Sequence, residues 1–128
     1  MQEDRAPSLN VYGDPLKPCG FDPKTGYFRD GCCNTGPMDR GKHVVCVRVT
    51  EEFLIYSRLR GNDLITPRPE YGFTGLREGD RWCLCAERWL EAADFGTAPK
   101  VILASTHQSA LSVIPMELLE EHALTPVR

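Results

Sequence analysis

The sequence predicts an α+β domain, or a small α/β one, with a three- to four-stranded mixed sheet, three helices and two long Gly/Pro-rich loops. Three observations carry this reading. Short β-branched or apolar runs alternate with segments of helical period. The helical segments are bracketed by start and stop signals. Glycine and proline, 11 and 10 of 128 residues, gather in two stretches of the chain.

Residues 1–9 are expected to form a flexible tail ahead of a single domain over 10–128. Met1 to Pro7 is charged and polar and has no apolar h-region. Residues 12–42 carry six glycines and four prolines, and the Gly-Asp-Pro, Asp-Gly and Thr-Gly-Pro steps mark turns. An irregular stretch this long is usually functional, or pinned by something. Tyr12, Phe21, Tyr27 and Phe28 can pin it by packing; Cys19, Cys32 and Cys33 can pin it by ligation.

Residues 43–49, HVVCVRV, read as a buried strand. Thr50 is placed as the N-cap of the first helix, with Glu51 and Glu52 in its first turn. Phe53, Leu54, Ser57 and Arg58 share a face, and Gly61 supplies the stop. Residues 61–80 form the second Gly/Pro-rich connection. Residues 81–86 are a strand, and Glu87 to Phe95 a helix that buries Trp89, Leu90 and Ala93 and ends at Gly96. Residues 100–105 are a third strand, with some parallel pairing expected from the helical crossovers. A helical turn near 107–112 follows. Pro115 opens a last helix with Met116, Leu119 and Ala123 on one stripe.

Composition narrows the function. Net charge is −3, and neither half of the chain is basic: nine acids face nine bases in residues 1–64, and nine face six in 65–128. A broad nucleic-acid footprint is therefore not expected. Membrane association is not expected either, for want of an apolar run of spanning length. A cytoplasmic location is expected, and with it reduced thiols and no structural disulfide.

The six cysteines dominate the candidate chemistry. Cys83 and Cys85 alternate onto one side of their strand, with Trp82 and Leu84 on the other. If the strand of Cys46 is its neighbour, Cys46, Cys83 and Cys85 converge as a soft site suited to zinc or Cu(I), with His43 or His107 as a fourth ligand. His43, however, alternates away from Cys46. The plainer reading is that these are small buried hydrophobes. The vicinal pair Cys32-Cys33 lies in a glycine-rich loop. Either residue can act as a thiolate nucleophile, activated by Arg29 or His43 or paired with His107 beyond a strand end. Otherwise one thiol is packed and one idle. In the second loop, Asn62, Asp63, Arg68, Tyr71 and Arg81 are candidates for gripping an anionic ligand or a protein partner. Arg68 is stiffened between two prolines. The plainer alternative is that its charges only tie the loop down.

The strings DPKTGYFRDGCCNTGP, TEEFLIYSRLRGNDL, TPRPEYGFTGLREGDRWCLCAERW and VILASTH resemble a mostly bacterial family, domain of unknown function 2237, over about residues 10–124. The resemblance implies a small soluble single-domain protein. It carries no catalytic residue or cofactor onto this chain. Three function classes follow: a binding module whose loops 12–42 and 61–80 form one site, a cysteine-based zinc protein, or a thiol enzyme using Cys32 or Cys33 with His107.

Overall fold

A computed structural model describes residues 8–124. Among these residues the sheet has three strands, β1 (His43–Arg48), β2 (Arg81–Cys85) and β3 (Lys100–Val101), in the order β2-β1-β3. Both neighbours run antiparallel to β1, so the expected mixed sheet is corrected to an antiparallel one. The helical crossover does connect two strands that point the same way, β2 and β3. Strand β1 lies between them and separates the parallel pair.

Helix α1 (Glu51–Leu59) starts where Thr50 caps it, the threonine hydroxyl accepting from the Phe53 N–H at 3.1 Å. It buries Phe53, Leu54 and Ser57, while Arg58 stays exposed. Helix α2 (Ala86–Phe95) ends at Gly96 in the left-handed region, φ 92°. Its Trp89 is fully buried and donates its indole N–H to the Pro99 carbonyl at 3.1 Å. Helix α3 (Met116–Glu121) follows Pro115 and buries Leu119.

The expected strand over 100–105 stops after two residues. Leu103–Ser105 curls into a 3-10 turn. The buried Thr106 hydroxyl accepts from the Cys46 N–H at 3.1 Å and donates to the Ile102 carbonyl at 2.9 Å. A side chain thus takes the place of a ladder partner.

The sheet separates two unequal layers. Val45, Val47 and Leu84 join the main core with Phe53, Trp89, Ile114 and Leu119. Cys46 and Cys83, direct cross-strand partners, alternate to the other side. There they meet Cys19 and Cys33 from the first loop in a small second cluster with Ile102. Two disulfides close it, Cys19–Cys46 and Cys33–Cys83.

These bridges overturn the expectation of no structural disulfide. That expectation rested on a reducing compartment and on a chain long enough to bury a core without staples. The physical demand is local: one sheet face needs a cover, and the loop that crosses it has few aliphatic side chains to bury. The loop aromatics do not supply the cover: Phe21 is 60%, Tyr27 40% and Phe28 45% exposed, and Tyr12 packs against the main core rather than the cysteine cluster. Sulfur pins the loop instead.

Candidate functional site

The first loop turns tightly over β2. Gly26 has φ +104°, and a Cβ there would lie 2.3 Å from the Cys32 carbonyl oxygen, so only glycine fits the turn. Asp30 accepts from the Cys32 N–H at 3.0 Å, and Thr25 accepts from the Cys83 N–H at 2.8 Å. The turn and the edge strand are thereby held together. Gly75 plays the matching part in the second loop, where a Cβ would meet the Ile65 carbonyl oxygen at 2.3 Å.

Where the two loops meet they leave a hollow of about 330 Å³, lined by Asp22, Pro23, Lys24 and Arg29 on one side and by Tyr71, Gly72, Phe73 and Thr74 on the other. A second hollow of about 200 Å³ is lined by Gly26, Tyr27, Arg29, His43, Trp82 and Cys83. Arg29 belongs to both. Its guanidinium lies 5.8 Å from the Trp82 ring centroid, and Trp82 packs in turn on Phe73 at 5.4 Å. Arg29 has φ 56°, a left-handed backbone that few non-glycine residues adopt. Such strain is held by the surrounding structure and gathers at functional positions.

His43 supplies a third polar element. Its Nδ1 is 2.7 Å from Asp39 Oδ1. Asp39 Oδ2 accepts from the His43 main-chain N–H at 3.0 Å and from the Thr35 hydroxyl at 3.1 Å. Burial pushes the Asp39 carboxyl upward, but these bonds from His43 and Thr35 outweigh it and hold it below its ordinary value. The carboxylate therefore takes the proton of Nδ1–H as a hydrogen-bond acceptor and fixes the ring. In the neutral imidazole Nε2 is left as an acceptor. The ring stacks on Tyr27 at a centroid distance of 6.3 Å.

The expected site residues fall as follows. Cys33 is bridged to Cys83, so it offers no free thiolate. Cys32 is a half-buried free thiol. Burial, and then the Asp30 carboxylate, push its pKa up, the reverse of an activated nucleophile. His107 is committed to a cap, its Nδ1 accepting from the Ser109 N–H at 3.0 Å. The imidazole beside the cysteine layer is His43. Of the expected metal set, Cys46 and Cys83 come together, but Cys85 stays outside their cluster as a half-buried free thiol. Cys19 and Cys33 take its place.

In the second loop Tyr71 lines the hollow. Asp63 instead accepts from the Thr66 hydroxyl at 2.6 Å and from the Ile65 N–H at 2.9 Å. These bonds, that of Thr66 foremost, lower its pKa. The Asn62 carbonyl accepts from the Ser57 hydroxyl at 2.7 Å. Arg68 pairs through its main chain with Phe73. Arg81 lies in an exposed row of cations, opposite Arg48, which faces Lys100 on its other side. Lys24 and Trp82 were not legible as site residues, because their roles come from contacts across the fold; Asp39 bonds four residues to either side, to Thr35 and His43, but lies in an irregular stretch with no period to show which side chains meet.

His107 gives a pH dependence. Burial depresses its pKa below 6.5, and protonating Nδ1 would remove the acceptor that caps the following turn. The unfolded chain therefore binds the proton more readily. The stabilising contribution is complete above the unfolded value and is lost as pH falls through the lower folded one. Urea denaturation of wild type and His107→Asn between about pH 7.5 and about pH 5 is expected to show a smaller decline in the variant. Asparagine caps without titrating in that range. Equal declines would exclude His107 as the cause.

The fold and site define a small α+β domain whose long loop is stapled across one face of an antiparallel sheet and meets a second loop at a cationic, aromatic cleft. The chain belongs to the family of uncharacterized proteins conserved in bacteria, DUF2237, whose model matches residues 9–123. No curated protein matches it. Among the described residues, no helix is long and apolar enough to cross a membrane.

Proposed function

We propose that the protein is a binding module for a small anionic ligand, held in the cleft between loops 12–42 and 61–80. The single observation that carries this is the position of Arg29. It stands in a strained left-handed backbone where two hollows meet, against Trp82 and beside Lys24. A cation between aromatic walls suits a carboxylate or phosphate attached to a flat or compact body. At about 330 Å³ the larger of these hollows is at the lower end of the size for small-molecule sites. His43 and Tyr27 add a polar and an aromatic contact at the other end.

A larger hollow of about 640 Å³ runs between α1 and α2, lined by Tyr56, Leu59, Arg60, Glu91 and Phe95 among others. Its lining cation, Arg60, is already paired with Glu91, and Glu87 and Asp94 add negative charge to the same wall. The loop cleft is therefore the better anion site.

Calorimetric titration with inorganic phosphate, citrate and benzoate tests the reading. At least one is expected to bind wild type. Arg29→Gln is expected to weaken it by about 1.5–3 kcal/mol, the range for a hydrogen bond to a charged group, or roughly 10- to 150-fold. Equal affinity in Arg29→Gln would remove Arg29 from the site. No binding of any of the three would remove the small-anion reading.

A further inference from the structure

The buried sulfurs lie behind the cleft, whose wall Cys83 shares, and offer a chemistry the anion reading does not use. The Sγ atoms of Cys19, Cys33 and Cys46 all lie within 4.8 Å of one another. Cys83 Sγ is bonded to Cys33 and is the cross-strand neighbour of Cys46. A tetrahedral zinc tetrathiolate, with Zn–S near 2.3 Å, places its sulfurs about 3.8 Å apart. Three of the sulfurs already gather within 4.8 Å of one another, and the fourth, Cys83 Sγ, is held against one of them by its bond to Cys33. Two come from strand positions, Cys46 and Cys83, and two from the first loop, Cys19 and Cys33.

The surrounding charge fits as well. A zinc tetrathiolate carries two negative charges, which are costly to bury uncompensated. On each strand the next residue on the cysteine face is an arginine: Arg48 follows Cys46 by two and Arg81 precedes Cys83 by two. These arginines are themselves directly opposed, with Lys100 on the far side of Arg48. Like charges in register destabilise a sheet. A dianion beside them turns that repulsion into attraction.

We propose that the reduced protein binds one zinc ion through Cys19, Cys33, Cys46 and Cys83, so that the loop is held by sulfur in either redox state. Each disulfide takes two electrons and two protons from a dithiol reductant, which closes to its own cyclic disulfide. Zinc then binds the four sulfurs and releases their four protons to solvent. Cys32 and Cys85 remain free thiols in both forms.

The test uses the full chain, reduced anaerobically with a dithiol, freed of it and titrated with Co²⁺. One equivalent is expected to give the sulfur-to-cobalt charge-transfer band and the visible bands of a tetrahedral site, and zinc is expected to abolish them. Alkylation mapped by mass spectrometry is expected to show loss of labelling at Cys19, Cys33, Cys46 and Cys83 when zinc is bound, with Cys32 and Cys85 still labelled. Cys46→Ser should lose the cobalt spectrum and Cys32→Ser keep it. If Cys46→Ser does not fold, the wild-type labelling map decides alone. Absence of the cobalt spectrum, zinc protection of all six cysteines or none, or unfolding on reduction that zinc does not reverse would each overturn the proposal.

Discussion

Replacing Cys33 and Cys83 together by alanine is expected to cost about 4 kcal/mol of stability under oxidising conditions. The bridge spans 50 residues, and closing a loop of that length in the unfolded chain removes entropy worth about 4 kcal/mol. The Cys19–Cys46 pair, 27 residues apart, is expected to be worth about 3.5 kcal/mol by the same relation. The two losses should not add, because the spans overlap between residues 33 and 46. Urea denaturation without reductant measures both. A loss below about 1 kcal/mol for either pair would mean that the loop is held by something else. The consequence is local as well as global. Gly26, Tyr27 and Arg29 reach the cleft from the stapled loop, and Cys83 itself lines it.

Trp89→Ala is expected to cost about 3–5 kcal/mol, as truncation of a fully buried aromatic does. Trp89 is the largest of the fully buried side chains. It fills the space beneath α2, meets His122 edge-on at 5.1 Å and holds the Pro99 carbonyl just before β3. The variant loses the packing and leaves that carbonyl without its donor. The midpoint in urea should fall with little change in slope. A loss below about 1 kcal/mol would place the main core elsewhere.

The parts legible in the sequence are those set by neighbours in the chain. Thr50 was readable as a cap because its hydroxyl bonds three residues on. Gly96 was readable as a stop because glycine takes the left-handed turn without cost. The alternation of Cys83 against Trp82 and Leu84 follows from the strand period. What could not be read was the partner of each element. A helix between two strands signals a crossover, but nothing in residues 86–95 says that β1 lies between β2 and β3. Cysteine spacings of 27 and 50 residues carry no pairing information of their own. Cys85 looked equivalent to Cys83 by period, yet it ends the strand as the residue before α2, outside the sulfur cluster.

The site divided in the same way. The sequence placed both loops at one site, and Tyr71 and the 19–37 stretch do contribute to a common hollow. It points to His107, which a local cap explains, and offers His43 as an activator of Cys32 or Cys33 while strand alternation weakens it as a metal ligand. A register irregularity between His43 and Val45 disturbs that alternation, and Asp39 fixes the ring at the mouth of the cleft. Arg29 was readable only as a charge near two thiols. Its left-handed backbone and its contact with Trp82 depend on the loop being folded over β2.

An amide NMR titration of the oxidised wild-type protein with phosphate, citrate and benzoate tests the single cleft most directly. The largest shifts are expected to converge on residues 22–32, 71–74 and 82, from both loops at once. Shifts confined to one loop, gathered instead between α1 and α2, or absent with all three anions would contradict the single cleft.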